Sequence, residues 1–272
     1  MDDFIPDRIQ HNLQSTIVGR TIEYYPQAGS TNDLARRQAH AGNREGLIIL
    51  ADEQTAGRGR LGRAWAAPPG SSLLLSLLLR PAWLAPADAF SLTMLAAVAL
   101  CEAVEQVTPV RTALKWPNDL LLPVRAAAGP MLRKAAGILS ELELDGDRID
   151  WVVIGIGVNV SWSPSGIVDG RDLAEVATSI GAAAGRPVER LPLLRALLER
   201  MDARYHALRR GDHADLFERW RDRLTTLGQP IQINLPHGEL RGVAEDVERS
   251  GALLVRDQRG DLHTIMAGDV GG

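Results

Sequence analysis

Residues 56–65 read AGRGRLGRAW, with Arg58, Arg60 and Arg63 interleaved among Gly57, Gly59 and Gly62. Arginine forks match the oxygens of carboxylates and phosphates. Glycines let a backbone approach a ligand closely. The stretch also fits G-x-G-x-x-G and follows a strand-like run, LIILAD at 47–52, which is the pattern of a dinucleotide-binding turn. That reading fails on the residues that come next. RAWAAPPGSS carries Pro68, Pro69 and Gly70 where a pyrophosphate-binding helix must begin. About 20 positions on, where an acidic residue should hold a ribose, the sequence reads LLRPAW. Two readings remain: a solvated basic loop, or an arginine-armed flap that orders on an anion.

Only two of the 30 basic residues are lysines, Lys115 and Lys134. A codon bias explains the scarcity but not which two remain. Lysine offers a compact point charge where a planar guanidinium does not fit. Lys115 opens KWPND (115–119), where Pro117 forces an extended approach and presents Asn118 and Asp119 at a strand end. Lys134 sits at the mouth of RKAAGILSE (133–141). In GIGVNV (155–160), Gly155 and Gly157 clear one face of a strand for a flat ligand; a strand bulge is the alternative. GSTND (29–33) offers hydroxyl and amide groups at a helix start, with Ser30 or Thr31 as N-cap and Asp33 in the first turn. The six histidines (11, 40, 206, 213, 237 and 263) lack metal-ligand spacing.

These residues need elements to hold them. Residues 6–18 read as a helix and 21–25 as a strand. A helix follows GSTND, with strands at 47–52 and near 72–80. An apolar-periodic helix spans 87–106. TALKW and DLLL flank the Pro-Asn bend as strands, and 123–133 reads as a loop. AAGILSELEL and WVVIGIGVNV read as neighbouring strands, followed by helices at about 188–210 and 212–224. Residues 230–266 form four or five short strands separated by Pro-His-Gly, Ser-Gly and Arg-Gly turns. The division expected is 1–224 for a large domain and 225–272 for a small one.

The bulk numbers narrow the class. A net charge of −4 over 272 residues gives no general reason to expect nucleic-acid binding. The lone Cys101 forms no intrachain disulfide and fits a core position in a reducing compartment. The first residues are polar, without a signal-peptide core, and the longest apolar run is broken by Arg80 and Pro81.

Taken in order, S-T-N, E-Q-T-A-G-R-G-R-x-G-R-x-W, K-W-P-N-D, K-x-A-G-I-L-x-E and G-x-G-x-N resemble the biotin–protein ligase family. The resemblance covers roughly residues 21–269. It implies an α+β fold: a mixed, mostly antiparallel sheet flanked by helices, like class II aminoacyl-tRNA synthetases, plus a small C-terminal SH3-like β-barrel. Some members carry an N-terminal DNA-binding domain. Too few residues precede Ser30 for one, so a ligase without repressor function is expected, with no nucleic acid or membrane partner. Two departures stand out: Leu61 replaces a basic residue common in the family, and the loop at 123–133 is longer than usual.

The implied reaction joins biotin to ATP as an adenylate, then passes biotin to a lysine of a biotin carboxyl carrier domain. By resemblance, Ser30, Thr31, Asn32, Gln54, Gly57, Arg58, Gly59, Arg60, Lys134, Gly155 and Gly157 bind biotin. Arg60, Arg63, Trp65, Lys115, Asn118 and Asn159 line the nucleotide side, with Trp65 stacked on adenine. Lys134, Arg58 and Asp119 carry the chemistry, Asp119 as base. Mg2+ arrives on the ATP phosphates, with no metal ligands from protein. A cytoplasmic monomer or homodimer is expected. A lipoate–protein ligase and a non-catalytic biotin or nucleotide sensor are the rivals.

Overall fold

The structure, a computed structural model, describes residues 4–126, 129–168, 170–235, 238–266, 268 and 270–271. A short helix α1 (Pro6–Gln10) leads into β1 (Thr21–Ala28), α2 (Thr31–His40), β2 (Leu47–Gln54) and β3 (Ser72–Leu79). Next come α3 (Phe90–Val107), β4 (Ala113–Lys115), β5 (Asp119–Ala126), β6 (Gly129–Asp145) and β7 (Arg148–Asn159). A small ribbon, β8 (Ile167–Val168) and β9 (Arg171–Asp172), precedes α4 (Leu173–Val176), α5 (Ile180–Ala184), α6 (Arg190–Arg209) and α7 (His213–Arg221). The chain ends in β10 (Pro230–Leu235), β11 (Gly238–Val247), β12 (Leu253–Asp257), β13 (Leu262–Ile265) and β14 (Val270–Gly271).

Seven strands form one sheet in the order β1-β2-β3-β7-β6-β5-β4. Only β1 and β2 run parallel, because α2 carries the chain back across the sheet between them. The other pairings are antiparallel. The mixed, mostly antiparallel sheet expected from the sequence is therefore present, and β6 and β7 are neighbours.

Every residue of β3, SLLLSLLL, is buried, so both faces of the sheet are covered there. On one face Leu73, Leu75, Leu77, Ile48, Leu50, Ile154 and Ile156 join the core made with α3 and α6. Each fully buried Leu or Ile contributes roughly 1.5–3 kcal/mol. On the other face Leu47, Ile49, Leu78, Trp151 and Val153 pack on Ala35 and Ala39 of α2. This short helix covers only part of the face. The remainder, around Gly155 and Gly157, is met by Asn32 and by Trp65 from the segment between β2 and β3.

The stretch 86–107, containing α3, is long and apolar enough to cross a membrane, but 72% of its apolar window is buried inside the protein. It is a core helix. Cys101 lies on it with no exposure, and burial pushes its thiol up to about 12. The thiolate is the reactive form. The folded protein will therefore take up iodoacetamide at pH 8 only after denaturant is added; rapid native alkylation, read by mass, would contradict the burial.

The five C-terminal strands form a separate antiparallel sheet, β13-β12-β11-β10-β14. It is stitched to the larger one. Leu224, just before the small sheet, bridges Leu114 of β4. Trp116 donates from its indole nitrogen to Gly251 O at 2.8 Å, and Thr226 Oγ1 accepts from Trp116 N. Gly251 has φ +87°, and a Cβ there would lie 2.0 Å from the Phe90 ring, so only glycine fits this turn.

Two sequence expectations are corrected. The helix expected over 6–18 stops at Gln10: His11 is extended (ψ 117°) and Asn12 then turns left-handed, φ +63°. The expected loop over 123–133 is a hairpin: β5 and β6 pair from Asp119–Gly137 out to Ala126–Gly129. Prolines do not break it, because β4 pairs with β5 only at 119–121. Pro123 lies past that ladder, where its missing donor is not needed. Residues 127–128 lie outside the described residues.

Candidate active site

The flap is a closed hairpin. Trp65 N donates to Gly57 O at 2.9 Å and Gly59 N to Arg63 O at 2.7 Å. The turn passes through Leu61 (φ +55°) and Gly62 (φ +74°). A non-glycine residue in that region costs roughly 1–2 kcal/mol, and the Leu61 side chain is exposed. Gly57 is required at the base, where a Cβ would lie 2.3 Å from Trp65 O.

The hairpin lays Trp65 back on the sheet. A Cβ at Gly157 would lie 2.6 Å from the indole, and one at Gly137 would lie 3.4 Å from it. The Lys134 ammonium stands 5.7 Å from the ring centroid, within cation–π reach. The indole Nε1 is buried without a hydrogen-bond partner. A Cβ at Gly155 would lie 2.1 Å from Asn32 Oδ1. The space cleared by the two strand glycines is thus taken by Trp65 and Asn32.

A bulge sets the position of Lys134. Leu120 pairs with Ala136, but Leu121 pairs with Lys134, leaving Ala135 as the extra residue. Strict alternation would put Lys134 beside Ala136 in the core. The bulge re-aims it to the opposite face, where Nζ meets Asp119 Oδ1 at 2.7 Å. Lys115 pairs in register with Asp119 at the end of β4. Behind Lys134, its carbonyl accepts from Thr178 N, and Thr178 O accepts from Asn159 Nδ2 at 3.0 Å. Asn159 Oδ1 is buried and unpartnered.

Farther along the same face is a chain of hydrogen bonds. Gln54 Oε1 accepts from Thr31 N (2.7 Å) and Thr31 Oγ1 (3.0 Å). Ser76 Oγ donates to Asn32 Oδ1 (2.6 Å) and lies 2.8 Å from Thr31 Oγ1. Asn32 Nδ2 donates to Glu141 Oε2 (2.8 Å) and to Leu139 O. Ser30 occupies the N-cap of α2 without a side-chain cap bond. Asp33 lies in the first turn of α2, as expected, and also takes Arg58 Nη2 at 2.5 Å, with Glu141 3.8 Å from the same nitrogen. Arg60 donates to Asn118 Oδ1 (3.3 Å) and to Gly268 O (3.1 Å), joining the flap to the Pro-Asn bend and to the chain's end. Arg63 is on the exposed side of the hairpin turn.

All five sequence motifs therefore meet on one face of the sheet. Sequence reasoning missed Ser76, Glu141 and Thr178. Ser76 had a signal: a hydroxyl in a leucine strand, in register with Gly155. Glu141 closes the motif RKAAGILSE but had no role there. Thr178 lies in a connecting segment that no pattern marks. Among the described residues no three His, Cys, Asp or Glu side chains cluster to hold a metal; His237 lies outside them.

Residues 24–159 match the biotin/lipoate A/B protein ligase family, and residues 226–270 match the biotin protein ligase C-terminal domain. A biotin–[acetyl-CoA-carboxylase] ligase of Mycobacterium tuberculosis is 33% identical over 99% of this chain and 97% of its own length. The chain belongs to the biotin/lipoate A/B protein ligase family. The bifunctional ligase/repressor BirA of Bacillus subtilis is 30% identical over 96% of this chain and 77% of its own length. Among solved structures, the biotin protein ligase of Aquifex aeolicus in complex with biotin and ATP superposes with a TM-score of 0.74 at 24% identity, covering 93% of this chain and 98% of that one. That likeness supports the family's fold, with its C-terminal SH3-like sheet, for this chain.

Proposed function

We infer that the chain is an ATP-dependent biotin–protein ligase that forms biotinyl-5′-AMP and transfers biotin to a lysine of a biotin carboxyl carrier domain. The observation that carries this reading is the meeting of five motifs on one face of the sheet, hydrogen-bonding at the Thr31–Asn32–Gln54–Ser76 end and cationic at the Lys134–Arg60 end. A ureido ring needs the first end; a carboxylate and a phosphate need the second. Relatives named as biotin ligases, one of them solved with biotin and ATP, support it.

A free carboxylate is a poor acyl donor, because its leaving group would be an oxide. In the first step a biotin carboxylate oxygen attacks the α-phosphorus of ATP and pyrophosphate leaves. In the second, the acceptor amine attacks the acyl carbon, AMP leaves and the amine loses a proton. Both steps gather negative charge, so fixed cations dominate the catalysis. Lys134 bridges carboxylate and phosphate as a point charge. In exchanging Asp119 for these anions it frees that carboxylate to take the proton of the acceptor lysine, whose ordinary pKa is ~10.4. Arg58 and Arg60 wrap the adenylate, Arg63 faces the phosphates, and Trp65, over Gly157 and beside Lys134, walls the reacting centre. Mg2+, arriving on the ATP phosphates, would screen their charge.

Residues 1–224 supply this chemistry and 225–272 the appended sheet. A reducing cytoplasm suits the single buried thiol.

The test is direct. With biotin, ATP and a carrier domain, the protein will biotinylate the carrier and release AMP and pyrophosphate in step. Omitting ATP, or supplying lipoate for biotin, will stop it. Biotin binding without AMP release would leave only a sensor. Ser76→Ala checks the polar end. It leaves Asn32 and Thr31 short of a partner, which costs roughly 1–2 kcal/mol, so KM for biotin should rise about tenfold with kcat nearly unchanged. An unchanged KM would remove Ser76 from the site.

A further inference from the structure

The arginine flap hangs between β2 and β3, and its function depends on what holds its two stems. The register between these strands runs only from Ile48–Leu77 to Ala51–Leu74. Past that pair a buried guanidinium takes over. Arg190, the first residue of α6, is 4% exposed. Its Nη1 donates to Asp52 Oδ1 on the N-terminal stem (2.8 Å) and to Ser72 O on the C-terminal stem (3.1 Å). Tyr24 of β1 donates to the other oxygen of Asp52 at 2.7 Å. The Phe4 ring lies 4.2 Å from the guanidinium carbon.

The grip comes from behind. Asp52 has the parity of Ile48 and Leu50, which face the core under α3 and α6, away from the groove. Each stem in turn reaches the site. Two residues beyond Asp52, Gln54 holds Thr31. Beside Ser72, Ser71 O accepts from Val160 N and Ser161 N at the end of β7. We propose that Arg190, with Asp52 and Tyr24, is a positioning residue: it staples the stems of the flap, so that the flap folds over the adenylate from fixed points at residues 54 and 71. Without the guanidinium, Asp52 and Ser72 O lose the donor they share, and the stems splay.

The adenylate part of this proposal rests on the ligase reading above; the staple itself does not. Trypsin supplies a readout independent of activity, because Arg58, Arg60 and Arg63 are its cleavage sites within the flap. The full chain is compared as wild type, Arg190→Met, Arg190→Lys and Asp52→Asn. Leu197→Ala, at a fully buried position of the same helix, is the control that lowers stability alone. Two quantities are followed: the rate of nicking at 58–63, and the fraction of biotinyl-adenylate escaping to hydroxylamine. Arg190→Met and Asp52→Asn should be nicked about tenfold faster and leak more adenylate. Arg190→Lys, which keeps a donor cation, should stay within about threefold. Leu197→Ala should melt earlier yet nick at the wild-type rate. The assignment is overturned if Arg190→Met is nicked no faster than wild type, or if Leu197→Ala is nicked as fast as Arg190→Met. A wild type that makes no adenylate would sink the ligase reading, while nicking would still decide the staple.

Discussion

Lys134→Ala will cut biotin-dependent pyrophosphate release by about 10²–10³-fold, the scale for removing one preorganised charge-stabilising group, with the melting temperature nearly unchanged. The side chain is partly exposed and pairs with Asp119, so the fold does not depend on it; partly exposed pairs contribute about 1 kcal/mol or less. In the proposed reaction the chemical step does, because the charge sits between two groups of oxygens. Lys134→Arg tests the shape argument. A guanidinium keeps the charge but is planar and wider, and the Lys134 ammonium already lies 3.4 Å from the point where a Cβ on Gly137 would be. Arginine should therefore restore less than about a tenth of the rate. Pyrophosphate release within about threefold of wild type for the alanine variant would take the reacting centre away from Lys134.

How Lys134 comes to be there is also the limit of what the sequence discloses. The motifs were legible: glycines in apolar strands, lysines where arginine is the rule, a proline bend carrying Asn118 and Asp119. The pairing of β6 with β7 followed from two strand-like runs. The face on which Lys134 lies did not. Alternation along KAAGIL puts Lys134 with Ala136 and Ile138, both core residues. Only the extra residue in the β5–β6 register reverses it, and nothing local in an Ala-Ala pair announces a bulge. Asp33 does lie in the first turn of α2, but its partner was hidden for a related reason. An acidic residue in a first helical turn suits the helix dipole wherever it occurs, and its pairing with Arg58, 25 positions away, is a tertiary fact. The hairpin at 123–133 was hidden by its Ala, Gly and Pro content, which signals a loop unless the missing donor falls past the end of a ladder.

Gly155→Ala will be the most damaging single methyl in the groove, and Gly157→Ala, two residues away, will separate binding from stability. Gly155 lies mid-sheet, paired with Ser76 on one side and Leu139 on the other, so its backbone has no room to retreat. The new methyl would lie 2.1 Å from Asn32 Oδ1. Asn32 is short and held by Ser76, Glu141 and Leu139. It can move only by breaking those bonds, at roughly 0.5–1.5 kcal/mol each, on top of roughly 1–3 kcal/mol for overpacking. Biotin affinity should fall by about 100-fold or more and the melting temperature should drop several degrees. At Gly157 the clash, 2.6 Å, is with the indole of Trp65, which is carried on the flap. The flap can lift where the strand cannot. Gly157→Ala should therefore melt close to wild type while its adenylate, no longer walled by Trp65, escapes faster. Calorimetric titration with biotin and thermal melts of both variants decide the matter. Gly155→Ala binding biotin within about threefold of wild type would mean that Asn32 is not part of the biotin site, and a Gly157→Ala variant that loses stability as Gly155→Ala does would mean that Trp65 is a structural element of the sheet and not a movable wall.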